Sequence, residues 1–221
     1  MNSRKQGVIY MSKDRVIAFT DAILAIVMTI LVLGLKEPEK PTLAGFWALR
    51  DGYFAYALSF FWLGRLWMTF NNVFEMVNKV DNRVVFVTVI MLFICSLIPY
   101  ATLLAAEYFH TRLIQLMYGA IIILADASIC WMYDTLCRAD RENGQLKQYI
   151  KDLQKMTRIT ILIMLGGMAV AWLWYPPAMM YSIIFSALFA GIFKMINDRR
   201  IGHKIDRLRR AESEKSSSKR R

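Results

Sequence analysis

Three ionisable side chains fall inside long apolar runs: Asp21 in "DRVIAFTDAILAIVMTILVLGL", Arg65 in "FFWLGRLWMTF" and Asp126 in "IIILADASICW". Carboxylates in such surroundings relay protons or take up cations, because an unpaired charge deep in a bilayer costs a few kcal/mol and is kept only for a use. That reading makes Asp21 or Asp126 the coupling site of a proton- or cation-coupled secondary transporter. The same cost supports a second reading, in which each charge is a polar lock holding one helix to another. Asp21 lies about 9 Å beyond Arg15 along a helix axis, and no further charge follows until Lys36.

Beside Asp21 runs a different kind of chemistry. At about 100° per residue, Ala22, Ile26, Thr29 and Leu33 fall within about 60° of one another, Ile30 sits at the edge of that stripe, and Asp21 points about 100° away from its centre. A ring of Ile26, Ile30 and Leu33 from several subunits would form a hydrophobic constriction about 10 Å long, of the kind that gates by dewetting. Ordinary helix packing is the commoner use of such a stripe, and the wheel alone leaves both open.

No catalytic constellation accompanies these residues. The chain has no GxSxG, no HExxH and no glycine-rich phosphate loop, and its two histidines, His110 and His203, lie outside the apolar runs. Cys95, Cys130 and Cys137 lack CxxC or His-pair spacing, so neither a metal site nor a disulfide is expected. No cofactor is called for, and a carbonyl filter of the TVGYG type is absent.

The elements that must carry these side chains are helices. Of 221 residues, 57% are apolar and only 20% charged, with a positive mean hydropathy. Several runs are long enough to cross a hydrocarbon core about 30 Å thick. Alternating strand patterns are missing, which excludes a barrel. The expected architecture is an all-α membrane protein with six transmembrane helices over about 14–35, 43–72, 84–106, 112–136, 156–175 and 178–198. Residues 1–198 would form the membrane domain, and 199–221 a basic tail whose composition favours disorder. The first helix is too long for a cleavable leader and is expected to be retained. Small residues four apart, Gly167 with Ala171 and Ala187 with Gly191, offer close-packing surfaces in the last two helices.

A net charge of +11 could suggest nucleic acid, but the distribution of charge argues for topology. Lys and Arg crowd into the N-terminal segment, 73–83, 138–158 and the tail, whereas the opposite connections carry only Lys36, Lys40, Arg50 and Arg112. The positive-inside rule then places both termini in the cytoplasm, which an even number of spans requires. The expected location is a multi-pass position in a cell membrane, the prokaryotic plasma membrane, with the lipid bilayer as partner and no nucleic acid.

Arg15, Phe19, Thr20, Asp21 and Ala25 reproduce the spacing RxxxFSDxxxA, with Thr for Ser. This resembles the first-helix signature of the transmembrane protein 175 family of endosomal and lysosomal potassium channels and their single-repeat bacterial and archaeal relatives. The likeness extends to the aromatic second helix "GRLWMTFNNVF" and to "SLIPYATLL" in the third. It implies a homotetramer whose first helix lines a central pore that passes potassium and other monovalent cations, with modest selectivity over sodium and no carbonyl filter. By position relative to Asp21, the family's constriction falls on Ile26, further apolar layers on Ile30 and Leu33, and the hydroxyl linked to selectivity on Thr29. The motif residues would hold the pore helix to its neighbours, with Arg65, Trp67 and Asn71 as polar partners. Phe70 stands where the family often has histidine, and Asn71 is the substitute the resemblance offers.

Overall fold

The computed structural model describes residues 12–192, and within them every regular element is a helix. These are α1 (Lys13–Leu33), α2 (Leu43–Ala48), α3 (Arg50–Met76), α4 (Asn82–Ser96), α5 (Ile98–Glu107), α6 (Arg112–Ala139), α7 (Gly144–Leu173) and α8 (Ala178–Ile192). The tail expected over 199–221 and the end of the last expected span, 193–198, lie outside the described residues. By length and apolarity, α1, the continuous stretch Asn82–Glu107, α6 and α7 can each cross a bilayer. Residues 50–76 of α3 are as long but carry Asp51, Ser59, Arg65 and Thr69.

Two expected helices are interrupted, each for a local reason. Over 43–72 the chain first makes the short α2, capped by the Thr42 hydroxyl accepting from the Gly45 amide at 3.1 Å. It then turns at Leu49 (φ −94°, ψ 9°) before α3 begins. Glycines at 45 and 52 flank this turn, and glycine is a poor helix former. α3 also runs on to Met76, past the expected end at 72. Over 84–106 the division between α4 and α5 falls at Leu97, where Pro99 has no amide hydrogen to give the Cys95 carbonyl.

α1 lies against α3, α4 and α5. It turns Val16, Thr20, Leu24, Val27 and Leu31 into the core, a spacing of three and four that keeps one line of a helix inward. α6 is the centre of the bundle, in contact with α4, α5 and α7. α8 seats over α3, α6 and α7: Tyr181 meets Phe54 with ring centroids 5.7 Å apart, and a Cβ at Gly119 or Gly167 would collide with Met179 or Ser182 respectively. Close approach therefore requires glycine at 167, while at 119 the methionine side chain would have to move aside.

The α6–α7 turn fixes the end of α3. Buried Asp140 accepts from the Asn78 amide (2.9 Å) and from Asn143 Nδ2 (3.1 Å). Asn143 also donates to the Met76 carbonyl at 2.8 Å and caps α7 by accepting from the Leu146 amide at 3.0 Å. Alongside, Lys13 at the start of α1 donates to the Val77 carbonyl at 3.1 Å. This corner sets where α1 begins relative to α3, and hence the height of every side chain on α1.

Candidate functional site

Opposite the buried line of α1 lies a continuous exposed line: Ala18, Ala22, Ala25, Ile26, Thr29 and Leu33, with Ile30 at its edge. The contrast is sharp for so apolar a helix. Leu24 is fully buried, whereas Ile26 is 55% and Leu33 81% exposed. The residues the wheel set on one face thus share a face that the chain's own core leaves uncovered. Along it, small alanines come first, then the bulky Ile26, and Thr29 follows one turn on. Thr29 Oγ1 donates to the Ile26 carbonyl at 2.9 Å. With its hydrogen committed inside the helix, the hydroxyl keeps its lone pairs for whatever faces α1.

Asp21 sits beside this face, half-buried, and its Oδ1 accepts from Trp67 Nε1 at 2.8 Å, tying α1 to α3. The signature residues divide by direction. Thr20 is buried, while Arg15, Phe19 and Ala25 are exposed, and among the described residues no ion pair joins Arg15 to Asp21. Phe70, where the family that the chain resembles often has histidine, is buried and stacks on Phe74 with centroids 4.2 Å apart. An apolar stack therefore replaces a polar side chain there. Asn71 is half-buried.

The Asp21–Trp67 bond gives a direct test. Trp67→Phe keeps an aromatic ring and removes the donor, and Asp21→Ala removes the acceptor. Each should lower the melting temperature of the purified protein by an amount equivalent to about 1 kcal/mol per chain, and the double variant should be no worse than either single. A well-assembled Asp21→Ala protein with altered ion preference would contradict the lock and place this carboxylate in the conduction path.

Arg65 does not reach Asp21. Its Nη2 lies 3.4 Å from Asp126 Oδ1, between α3 and α6, and its guanidinium sits 5.8 Å above the centre of the Trp62 ring. Two ionisable residues that stand apart in the sequence, 61 positions from each other, therefore form one pair. A carboxylate already facing a guanidinium is a poor vacancy for a second cation, and the pair ties α3 to α6 through Asp126 Oδ1, while its Oδ2 is buried without a hydrogen-bond partner. A further polar knot was not foreseen: Ser59 Oγ meets Thr102 Oγ1 at 2.7 Å and the Tyr118 hydroxyl at 2.8 Å, joining α3, α5 and α6 inside the core. Its only trace in the sequence is single hydroxyls within apolar runs.

A family model described as endosomal/lysosomal potassium channel TMEM175 matches residues 15–99, from the start of α1 into α5. A potassium channel of Chryseobacterium sp. (strain P1-3) is 30% identical over 192 residues, which cover 86% of this chain and 96% of that one. A potassium channel of Streptomyces collinus is 29% identical over 126 residues, 55% of this chain and 61% of its own. In fold, the chain resembles the crystal structure of a lysosomal potassium-selective channel TMEM175 homolog from Chamaesiphon minutus. The TM-score is 0.67 at 21% identity, with 80% of this chain and 97% of that chain covered.

Proposed function

The chain belongs to the TMEM175 family of potassium channels, and from that premise we infer that it is a potassium channel whose pore is lined by the exposed face of α1. The observation that carries the second half is the uncovered line Ala22, Ile26, Thr29 and Leu33 on a helix whose reverse side is fully packed. Lipid can cover a purely apolar line; here the Thr29 hydroxyl interrupts the line one turn past Ile26, and that, with the family, supports a pore axis over bare lipid. Four copies around an axis, each with six spans and both termini in the cytoplasm of a prokaryotic cell, would bring four such lines together. The basic tail over 199–221 would then lie on the cytoplasmic side.

In that assembly potassium and other monovalent cations move passively. Rings of Ile26, and of Ile30 and Leu33 about one and two turns on, form a narrow apolar stretch where water is held poorly and ions pass only when it wets. The Thr29 ring supplies the polar atoms of that stretch. Hydroxyls whose hydrogens point back into the helix present oxygen alone, which favours cations over anions. One ring of four oxygens replaces far less of a hydration shell than stacked carbonyls do, so preference for potassium over sodium is modest. Asp21, through Trp67, and buried Thr20 hold α1 within the chain, exposed Arg15 and Phe19 would hold it to a neighbouring copy, and none of the four touches the ion. A transporter cycle at Asp21 or Asp126 has no support: the relatives are channels, and both carboxylates are already engaged by Trp67 and Arg65.

The test is a reversal potential in a planar bilayer with potassium on one side and sodium on the other. Discrete current steps are expected, with the reversal displaced toward potassium. Thr29→Val keeps the side-chain shape and removes the oxygen, and should bring the reversal potential close to zero. Unchanged selectivity in Thr29→Val would remove Thr29 from the pore, and flux strictly coupled to a proton gradient would overturn the channel.

A further inference from the structure

α7 carries a second uncovered line. Lys147, Lys151, Lys155 and Arg158 recur at intervals of four, four and three, and all four are exposed, so they share one side of the helix. The line then continues without a break through Leu162, Leu165, Ala169 and Trp172, also exposed. The reverse side, Leu146, Ile150, Thr160, Met164 and Ala171, is buried, and α7 packs mainly on α6. One helix face is thus basic along its first half and apolar along its second, with the change between Arg158 and Leu162.

Among the described residues, no ion pair neutralises the basic half. Those present there are Lys36–Glu107, Arg50–Asp51, Arg65–Asp126 and Lys79–Glu142, and none involves these four side chains. The nearby acids are turned elsewhere: Asp152 accepts from Gln148 and Asp134 from Gln154. Like charges four apart on a helix repel one another, so an anion placed against this line would relieve that repulsion. The same repulsion disfavours a second copy of the line as its occupant.

We propose that this face binds an anionic phospholipid, with acyl chains along Leu162, Leu165, Ala169 and Trp172 and the phosphate and headgroup against Arg158, Lys155 and Lys151. The register fits a bilayer. Leu162 lies about 6 Å along the axis from Arg158, and Lys155 about 4.5 Å on the other side of it, which puts both cations at the depth of a headgroup layer some 5–7 Å thick. Lys151, about 10 Å beyond Arg158, still acts within a screening length of the lipid surface. Long basic side chains also bend toward a phosphate plane while their stems stay on apolar surface. The proposal requires α7 to cross the membrane; it does not require α1 to line a pore.

The experiment uses the full-length protein in nanodiscs of equal phosphatidylcholine and phosphatidylglycerol, with retained lipids counted by native mass spectrometry. Wild-type protein should retain phosphatidylglycerol preferentially. Lys151→Gln, Lys155→Gln and Arg158→Gln together should cut that preference by roughly tenfold or more, since each basic residue contributes several-fold, whereas Lys151→Arg with Lys155→Arg should preserve it. For wild-type protein, raising the salt to about 1 M, where the screening length falls to about 3 Å, should weaken the selection. Selection that survives both the triple substitution and high salt overturns the proposal, as does full displacement of the lipid by inorganic phosphate. Potassium flux is measured in parallel in vesicles of the same phosphatidylcholine and phosphatidylglycerol mixture: its presence with lipid selection absent would refute this site alone, and its absence with selection intact would refute the pore alone.

Discussion

Ile26→Asn should raise potassium leak through the reconstituted protein on the order of tenfold. The expectation rests on the proposed four-copy assembly, in which isoleucines would meet at one level of α1; Ile26 is more than half exposed on the face opposite the packed core. A closed apolar ring excludes ions because water inside it cannot keep its hydrogen bonds, and an ion cannot cross without that water. Asparagine is close to isoleucine in length but brings one acceptor and two donors per subunit, so the ring stays wet. Each 1.4 kcal/mol removed from the resulting barrier multiplies flux by about ten, and four amides in place of four butyl groups exceed that margin. Ile26→Val should behave like wild type, which separates wetting from size. The check is potassium flux into liposomes with matched protein incorporation; unchanged flux in an intact oligomer would take Ile26 out of the gate. Because the side chain faces away from the chain's own core, the substitution should leave the melting temperature within about 0.5 kcal/mol equivalents of wild type.

What the sequence made legible, and what it left hidden, follows from the range of the interactions involved. The all-helical class was legible because apolar runs are a local property. So was the face of α1: Leu24 turns inward and Ile26 outward because a helix repeats every 3.6 residues, and that needs no knowledge of neighbours. The breaks were harder. Pro99 announces the lost hydrogen bond at the division of α4 from α5, but the turn at Leu49 has no single cause in the sequence beyond its glycine flanks. That turn also shifts Arg65 within its helix. With a helix expected over 43–72, Arg65 falls in its inner half, whereas in α3, Arg50–Met76, it lies near the middle, level with Asp126 near the middle of α6. The pair became readable only once the helix ends were known. The Ser59–Thr102–Tyr118 knot and the Asp140–Asn143 corner stayed hidden for the same reason, since each joins elements distant in the chain. Trp67 as the partner of Asp21 came from resemblance, and the 2.8 Å bond supplies its physical basis.

Breaking the Arg65–Asp126 pair should cost more stability than any other single polar substitution in the bundle, and it should do so unequally. Asp126 is almost wholly buried, whereas about a third of the Arg65 side chain remains exposed, at 2% and 34%. Arg65→Met strands a carboxylate with no route to water, so it must either stay charged in an apolar core or take up a proton. Removing one partner of a buried pair costs about 3–5 kcal/mol, and the partial exposure of Arg65 reduces this to about 2–4 kcal/mol. Asp126→Leu should cost less, because the guanidinium left behind is long enough to turn outward and already rests over the Trp62 ring. The double variant should recover most of the loss, since two apolar side chains of similar volume can fill the gap between α3 and α6 as well as an ion pair does. Melting of the three variants by intrinsic tryptophan fluorescence gives this order directly. The same three proteins decide what the pair is for. If it is a lock, flux per folded channel is unchanged in the double variant. A double variant that folds like wild type yet no longer conducts would show instead that the charges act on the ion, and the lock would have to be abandoned.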